Sequence, residues 1–280
     1  MTGTATITHD AERATLPLAL KLGVAIVCCW LLLGISAPWI TGLDPNAIDL
    51  NNVLKAPGEH GLLGTDQVGR DMLTRVLFAA RIDMALGFLG VIIPMLIGVS
   101  VGVLSGYFGG RTDLVMMRVV DVTIAFPFLI LVLAIVGILG PGFINIIIAL
   151  TAVGWVAYAR LIRAEVLVVK NTEYVLAART LGYTPRYIIL HHVLPNSISP
   201  VAVYMMTDTV LVMLAGASLG FVGFGLQPPT AEWGVMIADG QAYIEDAWWI
   251  CVFPGLALIT LGVGLSLIGD GLARLLRVHQ

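Results

Sequence analysis

The stretch "EYVLAARTLGYTPRYIILHHVLPN", residues 173–196, interrupts the oily second half of the chain. Its residue types prescribe a local structure. Thr172 is placed to cap a short helix beginning at Glu173, where an acid suits the positive end of the helix dipole. Gly182 stands where a glycine ends a helix in the left-handed conformation. Thr184 and Pro185 restart one, as N-cap and first helical residue. The second helix carries Ile188, Ile189 and Val193 and is expected to stop near Pro195. A polar helix–turn–helix of this kind between two apolar runs reads as a loop at a membrane face.

Working outward, the composition agrees. The chain has 280 residues, of which 58% are hydrophobic and 12% charged, against roughly 25% charged in a soluble domain. Six apolar runs are long enough to cross a bilayer, at about 18–40, 84–106, 114–139, 143–160, 199–222 and 249–269. Lipid leaves no partner for open backbone groups, so all six are expected to be helices. The chain thus reads as an all-α polytopic membrane protein. It divides into an N-terminal tail 1–17, a first span 18–40, an outer loop 41–83 containing an amphipathic helix, a five-helix core 84–269 enclosing the loop 165–198, and a tail 270–280. The polar, weakly basic start and the length of the first apolar run favour a retained span over a cleaved signal.

An even number of spans puts both termini on one side. If that side is the cytoplasm, eleven Lys and Arg residues lie inside and only Lys55, Arg70, Arg75 and Arg81 outside. The positive-inside rule selects this orientation and places residues 173–196 in the cytoplasm. A net charge of −3 with no basic tail argues against nucleic acid as a partner. Cys28, Cys29 and Cys251 fall in apolar runs and read as small core residues, and no metal-ligand spacing is present. Gly98, Gly102 and Gly106 repeat every fourth residue and mark a face for close helix packing. Pro127 predicts a kink in the third span. Asp121 is expected to pair with Arg118. Asp208, deep in the fifth span between two threonines, is expected to face the bundle interior or a water-filled path.

"LAARTLGYTPRYIILHHVLP" resembles the EAA loop of ABC importer permeases. Ala177, Ala178, Gly182, Leu194 and Pro195 match in type and spacing, while Leu176 replaces the usual Glu and His192 the usual Ile. The resemblance implies a type I ABC importer (MetI-like) permease fold in which the first short helix, with Glu173 and Arg179 beside the alanines, docks in a cleft of an ATPase subunit. On that reading Ala177 and Ala178 form a low surface for docking, and His191 and His192 are interfacial or ATPase contacts. The chain has no G-x-x-x-x-G-K-[ST] loop, so ATP and Mg are expected on partner chains and no cofactor on this one.

A second stretch, "LLGTDQVGRDMLTRVLFAARIDMALG" at residues 62–87, is similar to the segment before the second span in dipeptide, oligopeptide and nickel permeases. Asp66 is expected to cap a helix there, with Met72, Leu73, Val76, Leu77 and Ala80 as its apolar stripe and Arg75 and Arg81 off it. The resemblance implies that Asp66, Arg70, Asp71 and, from the last outer loop, Trp233 lie on the side of an extracytoplasmic substrate-binding protein. The implied assembly adds a second homologous permease subunit, two ABC ATPase subunits and the bilayer of a bacterial inner membrane. Peptide is the favoured substrate, with nickel or another small solute as the alternative. A secondary transporter using Asp121 and Asp208 lacks the broken-span repeats expected of it. An intramembrane hydrolase built on Ser218 would need a histidine at the same depth, and none is present.

Overall fold

The computed structural model describes residues 16–277, so most of the N-terminal tail and the last three residues lie outside the described residues. Every long element is helical. α1 (Leu18–Thr41), α2 (Met72–Phe108), α5 (Phe143–Val169), α9 (Ser199–Phe221) and α11 (Trp249–Arg277) are each long and apolar enough to span a bilayer. α3 (Gly110–Ile124) and α4 (Phe128–Leu139) are long and apolar enough only when taken together, and they meet at a bend of 86°, as in a broken span or a re-entrant loop. Between the long helices lie α6 (Glu173–Thr180), α7 (Pro185–Ile188), α8 (Leu194–Ser197) and α10 (Trp233–Gly240).

The bend falls where the sequence puts it. Pro127 has no N–H and biases the residue before it away from helix, so α3 ends at Ile124 and α4 restarts with Pro127 as its N-cap. The bend is far sharper than a kink. α2, by contrast, begins at Met72 rather than near residue 84. Residues 72–83, expected as a separate amphipathic helix, are the first turns of the span itself, because no helix breaker separates them from it.

The glycine face of α2 packs as expected. A Cβ on Gly98 would come within 2.2 Å of the Trp155 carbonyl oxygen, and one on Gly102 within 2.3 Å of that of Ala159. α2 and α5 therefore approach backbone to backbone, which only glycine permits. α1 lies against α11 and buries only Gly23, Gly34 and Ala37. Cys28 and Cys29 are exposed on it, a correction to their expected place in the core. The reason is that α1 touches the bundle along one side only. α2, α5 and α9 with α4 share one core, and α2, α10 and α11 share another around the fully buried Trp233.

Two ends of the bundle differ. Residues 42–71 and α10 form a cap over one end, and α6–α8 form the loop at the other.

Candidate functional site

The cap end is stitched from its motif residues. Asp66 is 2% exposed. Its Oδ1 accepts from the backbone N–H groups of Val68 (3.0 Å) and Arg70 (2.9 Å), and its Oδ2 meets Arg70 Nε at 2.5 Å and Arg75 Nε at 3.6 Å. Arg75 is buried and also donates to the carbonyls of Pro45 and Pro229. It does not lie off the packed face, as the helical stripe suggested, because its charge is spent inside the cap. Asp71, not Asp66, caps α2, accepting from Thr74 N at 2.7 Å. Trp233 is 0% exposed, with its indole N–H on the Val76 carbonyl at 3.0 Å and its backbone N–H on Asp83 at 3.1 Å. Asp66, Arg70 and Trp233 thus hold the cap together and present no surface to another protein. Of the four cap-side candidates only Asp71 is partly exposed.

Sequence reasoning missed the pair beneath them. Asp83 and Glu232 are each 1% exposed. Glu232 caps α10 by accepting from Gly234 N and Val235 N, both at 2.8 Å, while burial pushes its carboxyl above the usual range. An acid in the run of residues 82–92, which is otherwise free of charge, was the available signal for Asp83.

The loop end keeps its predicted shape. α6 runs from Glu173 to Thr180 after Thr172, although the Thr172 hydroxyl bonds back to the Val169 carbonyl instead of capping. Gly182 has φ +82°. The bonds Tyr183 N to Ala178 O and Gly182 N to Arg179 O close a Schellman turn around it. Thr184 accepts from Tyr187 N, with Pro185 at the first position of α7. The second helix stops near Pro195, as expected, ending at Ser197 after it passes through a π turn, Ile189–Val193, into α8. The wider turn puts Leu194 N on Ile189 O just before a proline that has no N–H to offer.

The face that α6 and α7 present differs from the expected alanine surface. Ala178 is 4% exposed and packs into the core with Val175, Ile188 and Val193. Ala177 remains exposed. Ala178 falls with Val175 on the side of α6 that is seated on the bundle, and Ala177 on the side turned outward. What faces out is Tyr174, Leu176, Leu181, Tyr183, Tyr187 and Leu190, each at least 40% exposed. Tyr183, Tyr187 and His191 stack in a ladder with centroids 4.8 and 4.2 Å apart. Glu173, Arg179, Gly182 and Pro195 are exposed as well, and Leu194 is half-buried. The Arg179 guanidinium lies 4.9 Å from the Tyr107 ring and ties α6 to the end of α2. Nearby, Arg163 grips Asp113 through both oxygens at 2.5 and 2.6 Å, and Lys170 Nζ donates to the Gly106 carbonyl at 2.6 Å. Among the described residues, Arg118 and Asp121 form no ion pair with each other. Both are exposed on α3, which buries only Val120.

Between the two ends, a cavity of about 790 Å³ opens at the α3–α4 elbow against α5 and α9. Asp208 lines it, as its position in the fifth span required, and accepts a 2.7 Å hydrogen bond from the Tyr158 hydroxyl. Tyr204 lies against Tyr158, edge to face with centroids 5.2 Å apart. Phe126, Pro127 and Leu211 make part of the apolar wall, and Arg160 is the cation on it.

Residues 98–278 match the family described as "Binding-protein-dependent transport system inner membrane component". The chain belongs to this family. Among curated relatives of this inner membrane component is a probable D,D-dipeptide transport system permease protein of Escherichia coli, 42% identical over 260 residues, covering 93% of this chain and 87% of that one. Another is the oligopeptide transport system permease protein of Bacillus subtilis, 37% identical, covering 90% and 82%. The inward-facing MetNI methionine ABC transporter shares the fold, with a TM-score of 0.60 at 21% identity over 75% of this chain and 98% of that one.

Proposed function

We propose that this inner membrane component is half of the translocation path of an ATP-driven peptide importer. A second homologous permease subunit completes the path, two ATPase subunits binding ATP and Mg dock on α6–α7, and a substrate-binding protein meets the cap end. Both termini then lie in the cytoplasm. The observation that carries the reading is the loop end. It is a rigid helix–turn–helix seated on the core by Val175, Ala178 and Ile188, with a row of apolar and aromatic side chains turned outward. Such a row in water is costly unless another surface covers it. A body fixed to the ends of α2 and α5 can pass a displacement on to them by rigid-body movement.

The peptide assignment rests on the substrates named for the relatives. On this reading the cavity lined by Asp208 is part of the path. Reconstituting the chain with its partner subunits and binding protein in proteoliposomes tests both parts. Binding protein loaded with a dipeptide is expected to stimulate ATP hydrolysis. A Leu181→Cys chain is expected to cross-link to the ATPase. Stimulation by another solute and by no peptide would overturn the substrate. An ATPase that assembles without touching residue 181 would overturn the docking face.

A further inference from the structure

The cavity carries two opposite charges that do not pair with each other. Asp208 is fixed on one wall by Tyr158, itself fully buried. Arg160 lines the same cavity from α5, is exposed, and makes no ion pair among the described residues. Charges within a membrane bundle are expensive and are expected to neutralise one another or to serve a passing ligand. Arg160 follows Tyr158 by two residues, toward the loop end of α5. Most of the remaining wall is apolar, with Phe126, Pro127 and Leu211 on it. A site with an anion, a cation and a largely oily wall complements a small zwitterion. The cavity volume falls within the range of roughly 300–1,000 Å³ usual for small-molecule sites. An extended dipeptide, at about 3.3–3.6 Å per residue, fits such a space.

We propose that this cavity is a transit site for short zwitterionic peptides, the Asp208 carboxylate taking the terminal ammonium group and the Arg160 guanidinium the terminal carboxylate. Charge-assisted hydrogen bonds of this kind are the stronger ones in proteins. Tyr158 is a positioning residue that fixes the acceptor. The proposal rests on the reading of the chain as a peptide permease.

The complete transporter in proteoliposomes, fed dialanine by its binding protein, separates the two. Uptake of dialanine and stimulated ATP hydrolysis are measured together. Asp208→Asn and Arg160→Met are each expected to lower the dialanine carried per ATP about tenfold, with hydrolysis within about twofold of the parent. Asp208→Glu and Arg160→Lys are expected to restore about a third or more of that ratio. Among the described residues no hydrogen bond or ion pair rests on the Arg160 side chain, so Arg160→Met tests the idea without a folding defect. An unchanged ratio in either neutral variant overturns the proposal. So does a parallel loss of uptake and hydrolysis, which would mark a structural or coupling role. A parent transporter that responds to its loaded binding protein but carries a solute other than peptide overturns the functional reading instead.

Discussion

At the cap end the motif residues Asp66 and Arg70 are at most 6% exposed, and at the loop end Leu181 is 76% exposed. Both stretches read in the sequence as contact motifs. Only the loop end turns most of its motif side chains outward. The cap uses its ion pairs internally, tying residues 42–71 and α10 to the ends of α2 and α11. The loop uses its small and branched residues to seat itself and turns its larger ones outward. A motif's charge therefore says little about whether it meets a partner, and its burial says much more.

This contrast breaks most visibly at Arg75. Arg75→Met leaves the buried Asp66 with one cation fewer and two carbonyls without their donor. Removing one member of a buried pair costs about 3–5 kcal/mol. A marked fall in the thermal midpoint of the purified complex is expected. The matching change at the other end, Leu181→Arg, is expected to leave that midpoint within a degree or two while cutting peptide-stimulated ATP hydrolysis about tenfold, the equivalent of 1.4 kcal/mol in docking. If Leu181→Arg destabilises the fold as Arg75→Met does, the two ends do not differ as described.

A smaller effect is expected at Gly182. Its φ of +82° costs an alanine about 1–2 kcal/mol, so Gly182→Ala should lower loop-end protection in hydrogen exchange more than it lowers the global midpoint. The smallest expected effect is a drift with pH. Burial raises the folded-state carboxyl of Glu232 above its ordinary value of 4.5. Such a group contributes most below the unfolded value, and its contribution falls as pH rises through the raised one. Stability should therefore decline from acidic toward neutral pH, and Glu232→Gln should flatten that slope.

Much of this was legible along the chain. Apolar length gave the five long helices, and the spacing of Gly182, Thr184 and Pro185 gave the loop, because capping and φ preference act within a few residues. The four-residue glycine period gave the α2 packing face, and depth in a span gave Asp208 its cavity. The reading went wrong at Arg75, Ala178, Cys28 and the Arg118–Asp121 pair, where the deciding neighbour lies on another element. The Asp83–Glu232 pair went unseen for the same reason, since 149 residues separate its members.

Sequence alone determined that this protein is a bundle of membrane helices with a capped turn between the fourth and fifth spans, because hydrophobic length and backbone preference are properties of neighbouring residues. Only the tertiary structure decided which side of that turn faces outward, how the cap's charges are matched, and that Asp208 and Arg160 share one cavity. Burial and electrostatic pairing depend on groups brought together in space from distant parts of the chain.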